Sequence, residues 1–290
     1  MKKIGYVSIL GKPNVGKSTL LNHLLRQKIS IVSPKPQTTR HRIMGILNQE
    51  GGQILFLDTP GIFEPTMKLH QRMVHSAFKT LEDADLILVM VEPVKCDLNG
   101  NLLSSLLWEK KKTILAINKI DTVPKETLLP LIKEYQEIFT FDEIIPISAL
   151  KSDGLDVLLK AIYQYLPEGE PYYPEEMVSE NPEKFFVQEI IREKIFLLYG
   201  EEVPYSSTVV IEEFKEEVGR KDFIRAILYV EKESQKPILI GKKGDSLKRV
   251  GKMAREEIEA FLGRPVYLEL WVKIRKNWRK REEDLREFGY

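Results

Sequence analysis

Gly11-Lys12-Pro13-Asn14-Val15-Gly16-Lys17-Ser18 fits the pattern G-x-x-x-x-G-K-[ST], and it stands between an apolar run at residues 4–10 and a leucine-rich helical pattern. Glycines let the backbone curl until successive N–H groups face a phosphate chain, and a helix beginning near Lys17 adds the positive end of its dipole. In that setting Lys17 reaches the β- and γ-phosphates and Ser18 ligates magnesium. The plain alternative is a glycine-rich turn that binds nothing, and the flanking strand and helix argue against it.

Outward from this loop, β-rich runs at 43–47, 54–57, 86–91, 114–117 and 144–147 alternate with helical patterns. Such alternation predicts an α/β domain with a mostly parallel sheet covered by helices. Val74, Ala77, Phe78 and Leu81 recur at helical spacing, as do Leu155, Leu158, Leu159 and Ile162, so both sets form core-facing helix stripes. Residues 166–176 are rich in proline and acid, lack an apolar period and read as a linker. Beyond them, helices are expected at 185–199 and 247–262 and strands at 207–214, 224–231 and 265–274. The expected division is a first domain at 1–166, a linker at 167–183 and a smaller α+β domain at 184–290.

The chain has 290 residues, enough for two domains, and a formal net charge of +1, so affinity for nucleic acid must come from local clustering of charge. Its single cysteine, Cys96, excludes an internal disulfide framework and suits a reducing cytosol. An inert structural thiol is expected there, since no nearby histidine supplies a base. No apolar run approaches the roughly 18 residues of a membrane span, and the basic start of the chain runs straight into the phosphate loop, unlike a cleavable signal.

Three further segments close strands of the first domain. Asp58-Thr59-Pro60-Gly61 puts a carboxylate at a strand's carboxyl end, where open α/β sheets bind ligands. Asp58 is the expected magnesium partner, through water, and the Gly61 amide the expected γ-phosphate sensor. Asn118-Lys119-Ile120-Asp121 selects the base: Asp121 accepts guanine N1–H and N2–H₂, donors that adenine lacks, and a carboxylate left unpaired rejects ATP by about 10⁴-fold. Asn118 braces neighbouring loops and Lys119 lies over the base. Ser148-Ala149-Leu150 offers the Ala149 amide to guanine O6.

In the second domain, Ile240-Gly241-Lys242-Lys243-Gly244 holds a G-x-x-G turn before a helix that carries Lys248. Glycines admit a nucleic-acid backbone, the lysines pair phosphates, and Ile238, Ile240, Leu247 and Val250 are expected to line an apolar groove for about four unstacked bases. From Lys236 to Arg281 there are 14 Lys and Arg against 5 Asp and Glu, a local excess of +9 that attracts phosphate chains. Tyr267, Trp271 and Trp278 interleave with these cations. Base stacking is open to them, with core packing favoured for Trp271.

Taken together, the four loop motifs resemble the Ras-like GTPases of the translation-factor class over the whole first domain. The resemblance implies mobile switches, with a threonine of Pro36-Gln37-Thr38-Thr39-Arg40 completing the magnesium shell; Thr39 is preferred to Thr38. After Gly61, where Ras-type enzymes carry a water-orienting glutamine, stands Ile62, which can neither donate nor accept a hydrogen bond, so slow intrinsic hydrolysis is expected. Some GTPases with an apolar residue there use a monovalent cation held by a phosphate-loop asparagine. Asn14 occupies that position, with two readings open, a potassium site or support of loop geometry.

With the KH-like (type II) turn at Gly241–Gly244, the full chain resembles the Era family. That resemblance implies GTP or GDP with Mg²⁺ as cofactors and a slow GTPase that binds 16S ribosomal RNA near its 3′ end and assists 30S subunit assembly. It also implies a cytoplasmic protein with a peripheral inner-membrane fraction, and a monomer is expected. The rival reading is an RNA-binding module whose nucleotide is only structural.

Overall fold

In β4 (Leu86–Val91) all six residues are buried, so the strand is covered on both faces, as in a parallel sheet sandwiched by helices. It lies in a sheet whose strand order is β2-β3-β1-β4-β5-β6, with β1 (Lys2–Leu10), β2 (Ile43–Gln49), β3 (Gly52–Asp58), β5 (Lys112–Ile117) and β6 (Glu143–Pro146). This computed structural model describes residues 2–94, 98, 100–217 and 219–290, so Cys96 lies outside the described residues. Only β2 runs antiparallel to its neighbour in that order. Register levels the strand ends: Ile9 faces Asp58, Val91 faces Ile117, and Ile117 faces Pro146. Every loop that follows a parallel strand therefore leaves from one rim, and the chain reverses its winding about β1, directly before the phosphate loop.

Helices α1 (Lys17–Leu25), α2 (Lys68–Asp83), α3 (Gly100–Glu109), α4 (Leu128–Ile138) and α5 (Leu155–Tyr165) accompany the strands. Ala77 and Leu81 of α2, Leu106 of α3 and Tyr135 of α4 share one buried cluster with Ile87, Val89 and Leu115 of the sheet. Each fully buried leucine there contributes about 1.5–3 kcal/mol. On β2, a Cβ at Gly45 would lie 2.7 Å from methyls of both Leu21 and Leu25, so the missing side chain sets how closely α1 approaches the hairpin.

Residues 167–183, expected as a free linker, are a strap through residue 180. β7 (Glu168–Gly169) pairs antiparallel with β1. Farther on, the Ile46 amide donates to the Val178 carbonyl at 2.8 Å and Ser179 Oγ to the Met44 carbonyl at 2.5 Å, which occupies the open edge of β2. Gln53 Oε1 accepts the amides of Tyr172 and Tyr173, and its Nε2 donates to the Tyr173 carbonyl at 2.8 Å. Tyr173 and Met177 pack on Met44, Ile46, Leu55 and Leu57. Two well-placed apolar side chains and a polar clamp dock the strap without any periodic pattern.

Contacts divide the chain into two compact units, residues 1–65 with 72–180, and residues 181–290, with which 66–71 cluster. The second contains α6 (Glu183–Leu198), α7 (Val203–Ser206), β8 (Thr208–Lys215), β9 (Asp222–Val230), α8 (Gln235–Ile240), α9 (Asp245–Leu262), β10 (Val266–Ile274) and α10 (Glu282–Glu287). Its sheet runs β10-β9-β8, with β8 antiparallel and β10 parallel to β9. Ile191 and Ile195 of α6 and Ala254 and Ile258 of α9 cover Ile224 and Leu228. Among the described residues no helix is long and apolar enough to cross a membrane.

Candidate functional site

The phosphate loop owes its shape to close backbone approach. Gly11 has φ +152°, and a Cβ there would meet the Met90 carbonyl oxygen at 2.3 Å; Gly16 has φ +102°, and its Cβ would meet Asn118 Nδ2 at 2.2 Å. Neither position admits a side chain. Lys17 opens α1, buried, with Nζ donating to the carbonyls of Gly11 at 3.1 Å and Lys12 at 2.9 Å. Burial pulls its ammonium down to about 8, against the opposing pull of the Asp58 charge. The Asp58 carboxyl is pushed upward by burial, with Lys17 acting the other way.

Ser18, Thr39 and Asp58 converge. Ser18 Oγ donates to Asp58 Oδ2 at 2.7 Å and lies 2.9 Å from Thr39 Oγ1, while buried Asp58 Oδ1 has no hydrogen-bond partner. This all-oxygen set, with an orphaned carboxylate oxygen, suits a hard divalent cation. Thr38 points elsewhere: its Oγ1 donates to the Lys35 carbonyl at 2.7 Å and meets Ser33 Oγ at 2.9 Å, whereas Thr39 Oγ1 lies beside Ser18 Oγ. Asn14, in the left-handed region with φ +66°, donates through Nδ2 to the Pro34 carbonyl at 2.9 Å. Asn14, Lys17, Ser18 and Thr39 line a cleft of about 640 Å³ that also takes in Gly16, Gly61 and Lys119.

Thr59 and Ile62 stitch the segment after β3 to the sheet and the phosphate loop. Thr59 Oγ1 donates to the Ile9 carbonyl at 2.8 Å, and the Ile62 amide to the Gly11 carbonyl at 3.0 Å. Pro60 is buried between them, and Gly61 lies so close to Pro13 that a Cβ would be 2.5 Å from its nitrogen. The Ile62 side chain faces the core beside Leu10 and Ala77, so its apolar character serves packing.

Asn118 joins three loops. It is buried, its Nδ2 donates to the Val15 carbonyl at 2.7 Å, and its Oδ1 accepts the Ala149 amide at 2.8 Å. That amide, expected to face guanine O6, is thus engaged by Asn118 and must be shared to meet a base. Exposed Asp121 accepts from Ser148 Oγ at 2.6 Å, and Ile120 sits in the turn that carries it. Lys119 pairs with Glu92, a partner no sequence motif marks. Two further residues of the site lie outside every motif: Ser30 Oγ donates to Asp58 Oδ2 at 2.7 Å, and Asn22 holds the turn that carries it. No sequence signal singles out either one. A separate recess of about 430 Å³, lined by Leu107 and Ile138 among others, contains none of the motif residues.

In the second unit, Gly241 (φ +73°) and Gly244 (φ +83°) frame a tight turn before α9, and a Cβ on Gly241 would meet Ser246 Oγ at 2.2 Å. Lys242, Lys243 and Lys248 are exposed and carry no ion pair among the described residues. A groove of about 690 Å³ follows, between α9 and β10, lined by Gly244, Leu247, Lys248, Gly251, Arg255 and Leu270 among others. Three expectations for this groove need correction. Val250 is fully buried in the core, Ile240 packs against that core, and Ile238 is exposed outside the groove lining; only Leu247 of the expected four lines it. The tryptophans exchange roles: Trp271 is 53% exposed, whereas Trp278 is buried with Nε1 donating to the Ser206 carbonyl at 2.9 Å.

A family model described as a 50S ribosome-binding GTPase matches residues 6–119, and a KH domain model matches 202–279. GTPase Era of Syntrophus aciditrophicus is 47% identical over 293 aligned residues, covering 100% of this chain and 96% of its own. The chain belongs to the GTPase Era family. A second Era relative, from Geotalea uraniireducens, is 49% identical over 288 residues, covering 99% of this chain and 97% of its own. A crystal structure of a point variant of Aquifex aeolicus Era bound to GDP·AlF4⁻ superposes with a TM-score of 0.96 at 48% identity, covering 99% of both chains. An Era complex with MgGDPNP and nucleotides 1506–1542 of 16S ribosomal RNA gives the same TM-score and identity, covering 100% of this chain and 99% of its own. The Era architecture, a Ras-like GTPase domain followed by a KH domain, accounts for both units.

Proposed function

We propose that this chain is a slow GTP-hydrolysing switch that binds 16S ribosomal RNA near its 3′ end and assists assembly of the 30S subunit. The observation that carries the reading is the convergence of Lys17, Asp58 and Asn118 on one rim of a sheet, in a chain that also bears the Gly241–Gly244 turn with its exposed lysines. Asp121 reads guanine, and Lys17 with the loop amides neutralises phosphate. Ser18 and Thr39, with Asp58 beside them, would hold a magnesium ion, which would supply neutralisation of phosphate charge when bound.

Ile62 is in the core and offers no group to orient water, which leaves electrostatics as the means of lowering the barrier. We extend the proposal to a potassium ion coordinated by Asn14 Oδ1, since Nδ2 is the atom that donates to the Pro34 carbonyl and the amide oxygen is the side chain's ligand for a cation. Equal turnover in potassium and sodium buffers would remove this extension.

The main reading is tested with labelled RNA of 16S nucleotides 1506–1542, titrated with the protein bound to GDP or to GDPNP. Binding that depends on both the nucleotide and the RNA sequence is expected. A scrambled RNA bound equally well, or a folded protein that retains no GDP, overturns it. GTP that is neither hydrolysed nor exchanged would instead mark a structural nucleotide.

A further inference from the structure

Ser30 belongs to none of the motifs that mark the nucleotide site, yet it is fully buried and its hydroxyl donates to Asp58 Oδ2 at 2.7 Å. Ser18 Oγ donates to the same oxygen at 2.7 Å, so the carboxylate is gripped from two directions and cannot rotate without breaking one bond. Ser30 is itself held. Asn22 Oδ1 accepts the amides of Ile29 at 3.0 Å and Ser30 at 2.9 Å, and Asn22 Nδ2 donates to the Ser30 carbonyl at 2.7 Å. Asn22 lies on α1 one turn beyond Ser18, so the same rigid helix presents the hydroxyl beside the carboxylate and fixes the turn that locks the carboxylate's angle.

Resting on the nucleotide-binding function proposed above, we propose that Ser30 is a positioning residue for magnesium, which holds the Asp58 carboxylate beside Ser18 and Thr39, with Asn22 as the clamp that aims it. Groups that orient a metal's partners commonly matter nearly as much as the ligands. The geometry gives Ser30 no path to guanine or to the phosphate-loop amides: its hydroxyl bonds Asp58, and its backbone bonds Asn22. Its removal should therefore separate metal affinity from nucleotide affinity.

The test titrates Mg²⁺ into the full-length protein carrying fluorescent GDP and follows the nucleotide's dissociation rate, with a parallel GDP affinity in EDTA. Ser30→Ala should need about 10–100-fold more Mg²⁺ to slow dissociation, with GDP affinity in EDTA unchanged. Asn22→Ala keeps the hydroxyl but frees its backbone, and should shift the Mg²⁺ midpoint in the same direction by a smaller factor. If Ser30→Ala does not fold, as judged by its melting curve, Asn22→Ala carries the test. A wild-type Mg²⁺ midpoint in the folded variants overturns the proposal, as does an equal loss of GDP affinity in EDTA, which marks a merely structural hydroxyl. Wild-type protein that fails to hold GDP at all would count instead against the nucleotide-binding reading.

Discussion

Raising the pH past 8 should weaken nucleotide binding because the buried ammonium of Lys17 titrates there. Burial lowers its value from 10.5 to about 8, and the Asp58 charge recovers only part of that loss. A bound diphosphate favours the charged ammonium, so above pH 8 the free protein must take up a proton to bind. At pH 9, one unit above the free value, about 90% of the lysine is neutral and apparent GDP affinity falls about tenfold, or ~1.4 kcal/mol. Below pH 7 the uptake should approach zero. Fold stability moves the other way. Since the folded value lies below the unfolded one, the unfolded chain binds more protons between pH 8 and 10.5, and this group makes the nucleotide-free protein more stable as pH rises through that window. Calorimetric GDP titrations from pH 6.5 to 9.5, in two buffers of different ionisation enthalpy, give affinity and proton uptake together. Flat affinity with no uptake at pH 9 would refute the reasoning, and Lys17→Met should abolish the linkage while weakening binding at every pH.

Asp121→Asn replaces an acceptor with an amide that opposes guanine N2–H₂ but matches a xanthine carbonyl, so GDP affinity should fall by up to about 10⁴-fold and xanthosine diphosphate should become the better ligand in competition assays. Asn118→Ala leaves the Val15 carbonyl and Ala149 amide without their partner, at about 1–3 kcal/mol each, which should appear in both GDP affinity and thermal midpoint. Gly241→Ala forces a Cβ to 2.2 Å from Ser246 Oγ at φ +73°, and should abolish RNA binding while GDP binding is unchanged. Lys242→Ala should lower the slope of log affinity against log salt by about 0.7 for single-stranded RNA.

The nucleotide site was legible because each of its motifs is a contiguous backbone device at a strand end. Gly11, Gly16 and Asp58 are required where they stand by the curl of one loop and the end of one strand, and the parallel register then brings them together without further instruction. Thr38 is taken by Lys35 within a local turn, which keeps Thr39 as the proposed magnesium ligand. The strap was not legible because its anchor, Gln53, lies 119 residues before Tyr172 and carries no local signal of the bond it makes. Ser30 and Asn22 escaped for the same reason: a serine after a helix has many uses, and only the fold aims it at Asp58.

Charge shows how a linear window misleads in the second unit. The excess of +9 between Lys236 and Arg281 omits the acids that the fold brings in from outside that window. Arg275 bonds Asp284 and Glu287, Arg279 bonds Glu231, Arg281 pairs with Asp284, Lys273 with Glu212, and Lys276 with Glu233. Arg275, Arg279 and Arg281 thus help fasten the chain's end, where Trp278 and Phe288 are buried against each other. A phosphate chain gains little from a cation that must first leave a carboxylate. Lys242, Lys243 and Lys248 face no such competition among the described residues, so the electrostatic pull on RNA concentrates at the turn and the first turns of α9, beside the groove that would take the bases. Lys243→Glu should therefore weaken RNA binding far more than Lys276→Glu, although the two lysines contribute equally to any count of charge. Equal losses measured at one salt concentration would show that the whole basic run, and not the turn, holds the RNA.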